Sequence, residues 1–221
     1  MKISVVYGNQ HRGNTWNLAQ TVLDHFSGAE KIEFFLPAAM PHFCNGCLRC
    51  LSETPKACPH DKWIDPIRTA MLEADLIVLT SPVYVFHLSG QMKAFLDHFS
   101  YFWMVHQPHP AMFHKQALVV ATSAGSPTTN VMREIGDSLA MWGIPRVYRY
   151  GMGMGQPNWD AVSDKVKARI KARGAKLAAK IRANQKESLS PSLRTWVWFN
   201  ISRLIQTKFK FSQTDIAHWN K

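Results

Sequence analysis

The sequence predicts an α/β fold, a five-stranded parallel sheet covered by helices on both faces, and three observations carry that expectation. Short apolar, β-branched runs alternate with longer segments of helical period. The runs have the length of buried strands, and the segments between them carry apolar stripes at three- and four-residue spacing. Loops rich in Gly, Asn, Ser and Pro follow the first, third and fourth runs. The expected strands are Ile3 to Tyr7, Lys31 to Phe35, Asp75 to Thr80, Gln116 to Thr122 and Arg146 to Tyr150. Trp16, Ala19, Val22, Leu23 and Phe26 stripe the first helix, and Ile64, Ile67, Ala70 and Met71 the second. Further helices are expected over Ser89 to Phe99, around Met132 to Trp142, and over Trp159 to Arg182, where Val162, Val166, Ile170, Leu177 and Ile181 keep register.

Strict alternation of this kind suggests a flavodoxin-like, doubly wound sandwich, in which a ligand sits beyond the carboxyl ends of the strands. At 221 residues and 46% apolar content the chain suits one large domain or one domain with an appendage. We expect a first unit over 1–186 and a C-terminal helical extension over 187–221. The net charge of +11 is unevenly placed, with nine cations between Lys165 and Lys186. A run of that sort is a solvated helix face, and no nucleic-acid module accompanies it. No segment offers the ~20 apolar residues of a membrane span, and the start, MKISVVYGNQ, enters a strand directly. A reducing, cytoplasmic setting is therefore expected, where clustered cysteines serve metals or redox chemistry.

All four cysteines, Cys44, Cys47, Cys50 and Cys58, fall in HFCNGCLRCLSETPKACPHD. Three thiols at C-x-x-C-x-x-C spacing, followed by a Cys-Pro pair, match iron-sulfur ligation better than zinc, whose structural sites come as two separated pairs. The interval to Cys58 is longer than in ferredoxins. Free thiols or a loop disulfide, and a zinc ion, stand as alternatives.

The strand-end loops supply the remaining candidates. Gly8-Asn9-Gln10-His11-Arg12-Gly13-Asn14-Thr15 joins the first strand to the first helix. Its glycines permit tight turns, Asn14 or Thr15 can cap the helix, and the free amides with the positive end of the dipole suit a phosphate monoester, to which Arg12 adds a charge. The glycine spacing is neither that of a dinucleotide fingerprint nor of a Walker loop. After the third strand comes Ser81-Pro82-Val83-Tyr84, expected as a loop whose Val83 and Tyr84 amides meet the polar edge of a flat ring while the tyrosine adds apolar area. Thr122-Ser123-Ala124-Gly125 after the fourth strand allows close backbone approach.

These residues resemble the flavodoxin-fold NAD(P)H-dependent FMN reductases, and within them the iron-sulfur flavoproteins. The resemblance rests on GNQHRGNT, FCNGCLRC with Cys58, DLIVLTSPVY, SGQMKAFLDHF and HPAMFHKQALVVATSAG, in order over Met1 to Trp142. It implies FMN as cofactor and NAD(P)H as co-substrate. Asn9, Arg12, Asn14 and Thr15 would then meet the phosphate, with Gly8 in the same cofactor-binding loop, Pro82, Val83 and Tyr84 the ring, and Ser123 and Gly125 its other edge. Asn9 stands where Ser is common in the family. The resemblance also implies a [4Fe-4S] cluster on Cys44, Cys47, Cys50 and Cys58, although relatives with similar cysteines and no cluster exist.

The implied reaction takes electrons from NAD(P)H and passes them to a small acceptor such as a quinone or a flavin, directly or through the cluster. A flavin needs binding and orientation from the protein rather than a catalytic acid, so no general base is named. The alternatives are an electron carrier without nicotinamide activity and a cysteine-based redox sensor. His98, His106, His109 and His114 read as surface or packed histidines because their spacing is irregular. In reductases of the kind this chain resembles, an aromatic and proline-rich stretch such as Tyr101 to His114 lines the substrate cavity or a dimer contact; ordinary core packing is the alternative. Beyond Ser190, Leu193, Trp196, Val197, Ile201, Leu204 and Ile205 form a wide stripe edged by Arg194, Arg203, Lys208 and Lys210. That stripe is expected to pack on a partner subunit of a homo-oligomer, or else to lie in a membrane interface.

Overall fold

The computed structural model describes residues 1–185, 191, 193–209 and 213–220. The unit boundary expected at 186/187 and the cations at Lys186 and Lys210 lie outside the described residues. Five strands form the parallel sheet: β1 (Lys2–Tyr7), β2 (Glu30–Phe35), β3 (Leu76–Tyr84), β5 (Gln116–Ser123) and β6 (Arg146–Gly153). Their order is β2-β1-β3-β5-β6, with β4 (His87–Leu88) paired antiparallel to the end of β3. The direction of winding reverses between β1 and β3. That is the switch point beside which open α/β sheets bind ligands.

Alternation along the strands builds two cores. In β1, Ile3, Val5 and Tyr7 join one cluster with Leu18, Val22, Ile170 and Ile181, from helices α1 (Asn14–Leu23) and α6 (Asp164–Gln185). Val6 points the other way, into a cluster with Ile64, Ile67, Met71, Phe95, Phe99, Ile135 and Trp142. Those residues come from α3 (Asp61–Glu73), α4 (Gly90–His98), α5 (Thr129–Met141) and the segments that follow α4 and α5. Side chains on successive strand residues alternate between the faces, so both faces are apolar and both must be covered.

Helix α6 crosses α1 at very close range. A Cβ at Gly174 would lie 2.4 Å from the Thr21 carbonyl oxygen, so a residue without a side chain lets the two backbones meet. The tail folds as two helices, α7 (Leu193–Phe209) and α8 (Gln213–Trp219). They clasp the 103–115 segment through a buried carboxylate. Asp215 pairs with His106 at 2.9 Å and accepts from Gln107 and Gln206 at 3.3 Å. Trp219 Nε1 donates to the His106 carbonyl at 2.9 Å, and Thr214 Oγ1 to the Ser52 carbonyl at 2.7 Å.

The main departure from the expected elements is at the end of β3. The strand does not stop at Thr80 but runs through Ser81-Pro82-Val83-Tyr84, with Pro82 in register with Thr122. Val83 then pairs with Leu88 and Tyr84 with His87. The two turn residues between them, Val85 and Phe86, have φ of +49° and +67°, the left-handed pair that a tight hairpin requires. Neither is Gly or Asn, so the turn carries no sequence signal, and a β-branched residue at positive φ stores strain.

Candidate FMN site and cysteine centre

The first loop is built around a contact that excludes a side chain. Gly8 donates its amide to the Thr80 carbonyl at 2.8 Å, and a Cβ there would sit 2.5 Å from that same oxygen. Ser89, fully buried, secures the loop from the far side. Its hydroxyl donates to the Gly8 carbonyl at 2.6 Å and accepts the Met92 amide at 3.3 Å as the cap of α4, while its own amide donates to Ser81 Oγ at 2.9 Å. One serine thus ties the first loop, β3 and α4 together.

The loop delivers an open helix end. Gly13 is the N-cap of α1 and provides no side-chain hydrogen bond, and the first turn holds no acidic residue. The first amides of α1 are therefore donors without a capping side chain, at the positive end of the dipole. Arg12 is exposed beside them, its guanidinium 5.4 Å from the Trp16 ring centroid and 5.7 Å from that of Phe35. Among the described residues it makes no ion pair, so its charge is available to an anion.

The expected roles divide at this point. Asn9 Oδ1 and Asn14 Oδ1 are buried without a hydrogen-bond partner, whereas Asn14 Nδ2 donates to the Gln156 carbonyl at 3.0 Å. Oxygen atoms accept hydrogen bonds, so these two suit hydroxyls of a sugar-like chain rather than phosphate oxygens, which need donors. Thr15 is not free to cap. Its hydroxyl lies 2.6 Å from Thr122 Oγ1, joining the head of α1 to the end of β5.

The other two loops stand on the same side of the sheet, at the carboxyl ends of β3 and β5. Val83 is half-buried and Tyr84 exposed. Successive residues of an antiparallel ladder alternate between bonded and non-bonded pairs, so one of their two amides faces the partner strand and one faces away. The expectation of two free amides is thereby reduced to at most one. The Ser123 hydroxyl is engaged by the Ser126 carbonyl. Gly125 is exposed, and a Cβ added there would meet nothing within 4 Å, which leaves its backbone open to approach. Uncapped donors, orphaned acceptors and open backbone at the carboxyl ends of neighbouring strands suit a phosphate-bearing flavin.

The cysteine loop forms a second centre. Cys44 and Cys47 are exposed, Cys50 and Cys58 half-buried, and all four are free. Cys50 belongs to the short helix α2 (Arg49–Ser52), and both Cys50 and Cys58 pack against the larger core. Burial pushes the Cys50 thiol above its ordinary value, and the Cys58, Cys44 and Cys47 thiols push it further. At Cys58 burial again raises the value; a backbone contact from His60 opposes it, and Cys47 and Cys44 add to it. Among the described residues Cys44, Cys47 and Cys50 belong to no group of three or more close ligand atoms, so the fit to a metal centre rests on the chemistry of four thiols in one loop, whose thiolates a cation would stabilise.

Two histidines missed as site neighbours stand beside it. His60 Nδ1 is 3.0 Å from His98 Nε2, and His98 Nδ1 is 2.8 Å from the Ala94 carbonyl, a contact that fixes Nδ1 as the donor. Ligand atoms of Cys58, His60 and His98 lie within 4.8 Å of one another. His42 stacks on His60 at 4.7 Å. His98 is buried, as expected, but not inert. No sequence spacing joins residues 38 apart; only the packing of α4 against the start of α3 does.

A cavity of about 600 Å³ lies elsewhere, between the tail and the 103–115 segment, walled by Phe113, Trp196, Phe199, Arg203 and Trp219. None of the flavin-loop residues lines it. The stretch from Tyr101 thus divides, with Tyr101, Phe102 and Met104 in the core and Phe113 at this cavity.

Residues 1–153 match the family of NADPH-dependent FMN reductases. An iron-sulfur flavoprotein from Archaeoglobus fulgidus is 27% identical over 158 residues, covering 70% of each chain. Among solved structures, a flavone reductase superposes with a TM-score of 0.60 at 18% identity, over 85% of this chain and 64% of its own. An azoreductase from Bacillus anthracis gives 0.61 at 12% identity, over 81% and 99%. An NADH:FMN oxidoreductase gives 0.52 at 21% identity, over 88% and 92%. These structural likenesses agree on the flavodoxin-like fold. With the match spanning β1 through β6 and the strand-end loops, the chain belongs to the NADPH-dependent FMN reductase family and is an NAD(P)H-dependent FMN oxidoreductase.

Proposed function

We propose that the protein binds FMN across the three strand-end loops, takes a hydride equivalent from NAD(P)H and passes electrons to a small acceptor of the quinone, free-flavin or related class. The observation that carries this reading is the uncapped head of α1, set beside Gly8 at the sheet's switch point. Bound FMN supplies hydride acceptance and the return of electrons singly or in pairs. The chain's own residues hold and orient it. Amides at the start of α1 and Arg12 receive the phosphate, Asn9 and Asn14 accept from hydroxyls, and the Pro82-Val83-Tyr84 edge and the Gly125 backbone border the ring.

Cys44, Cys47, Cys50 and Cys58 would hold a [4Fe-4S] cluster, which supplies one-electron transfer when present. Support comes from the clustering of all four cysteines in one short segment and from the name of the Archaeoglobus relative. A reducing, cytoplasmic setting goes with this reading. The test is protein purified without oxygen. An absorption spectrum with flavin bands, mass spectrometry that identifies the released flavin as FMN, and NAD(P)H oxidation that quickens when a quinone is added are the expected results. Stoichiometric FAD would overturn the cofactor assignment, and reduction only by a protein donor would favour an electron carrier.

A further inference from the structure

Helix α7 is turned inside out. Its face toward the protein carries the buried Thr195, Ser202 and Gln206 with one half-buried aromatic, Phe199, set against Phe113 and Trp219, while Leu193, Trp196, Val197, Ile201 and Leu204 are exposed. Ser202 is 2% exposed and Leu204, on the opposite side, 53%. The exposed set recurs at helical spacing and forms one continuous stripe.

The orientation is locked by polar bonds. Gln206 donates to the Val105 carbonyl and, at 3.3 Å, to Asp215, whose carboxylate is buried and also engages His106 and Gln107. Rolling α7 to bury its stripe would remove a partner from this carboxylate in an apolar setting, where an unpaired charge is costly. The apolar face is thus held outward.

Charge selects the occupant of this face. Helix α7 contains no acidic residue, and by helical spacing Arg194 and Arg203 border the stripe on opposite sides, with Lys208 at its far end; all three are exposed. A second copy docked isologously would bring like cations and another +11 against this face. An anionic lipid surface offers the opposite charge, and exposed Trp196 and Trp198 suit the headgroup boundary. No helix among the described residues is long and apolar enough to cross a membrane. We propose that α7 docks the protein on the surface of an anionic lipid bilayer, with its stripe in the interface and its arginines at the phosphates.

The test is flotation of the full-length protein with vesicles of phosphatidylcholine alone and of phosphatidylcholine mixed with phosphatidylglycerol. The protein should float with the mixed vesicles only, and added salt should release it. The doubly substituted Trp196→Ser/Leu204→Ser and Arg194→Glu/Arg203→Glu chains should each lose roughly tenfold or more in partitioning. Circular dichroism matching the parent checks that these exposed changes leave the fold intact. Failure of the parent to float, or undiminished flotation of both variants, would overturn the proposal. So would a dimer in light scattering that Trp196→Ser/Leu204→Ser separates, which would assign the stripe to a second copy.

Discussion

The hydroxyls of Thr15 and Thr122 meet at 2.6 Å in a buried position, joining the head of helix α1 to the end of strand β5. The bond makes the first loop and the loop after β5 one body. Thr122→Val would leave the Thr15 hydroxyl buried and unpaired at a cost of about 1–3 kcal/mol. We expect a lower midpoint in urea and weaker FMN retention, and a flavin titration of the variant measures the second effect.

Gly8→Ala should be worse than its size suggests. The methyl would press on the Thr80 carbonyl, a backbone atom of a central strand that cannot swing aside. Overpacking of this kind costs about 1–3 kcal/mol, and the displaced loop should lose FMN. Gly28→Ala is the control, because its Cβ meets nothing and it lies ahead of β2, at the end of the sheet away from the flavin loops. Comparing flavin content in the two variants separates crowding from simple loss of glycine.

The cysteine centre predicts metal content. Anaerobically reconstituted protein should carry about four iron and four sulfide per chain, and Cys→Ala at any of the four positions should remove most of both. Iron and acid-labile sulfide analysis decides the matter. One zinc per chain, or four alkylatable thiols and no metal, would replace this reading with one of the alternatives.

Acid should loosen the same region. His60 and His98 are both held below the ordinary imidazole value of 6.5, chiefly by burial; the neighbouring His98 and His42 also lower His60. A histidine whose folded value is depressed binds fewer protons folded than unfolded, so its contribution is present above 6.5 and is lost as pH falls through the window below it. Thermal melts between about pH 7.5 and 5.5 should therefore show falling stability, and His60→Gln should flatten that slope.

Much of this was legible in the chain because a sheet buried on both faces writes its strands as apolar runs, as Leu76 to Leu79 and Ala117 to Val120 do. The first loop was legible because Gly8 and Gly13 flank a polar stretch between a strand and a helix, where tight turning is what glycine supplies. Legibility failed where a contact is tertiary. Nothing in Val85-Phe86 announces a left-handed hairpin, because that turn is imposed by the strands on either side. The His60–His98 pair and the Ser89 junction join residues far apart in sequence, although Ser89 sits just ahead of a helix, where a capping serine is favoured. In α7 the stripe was visible, but not which way it faces, since only the Asp215 network decides that.

The crossing at Gly174 bears on where this protein can be cut. Every residue proposed to touch flavin or metal lies within 1–153, yet the core behind β1 and α1 is closed by Ile170, Ala178 and Ile181 of α6. A fragment that ends with the family's match would keep all the ligands and lose the wall that seats them. Its first loop would be anchored on one side only. The minimal working unit is therefore defined by what covers the sheet, and it extends at least to the end of α6, well past the last residue that chemistry alone would require.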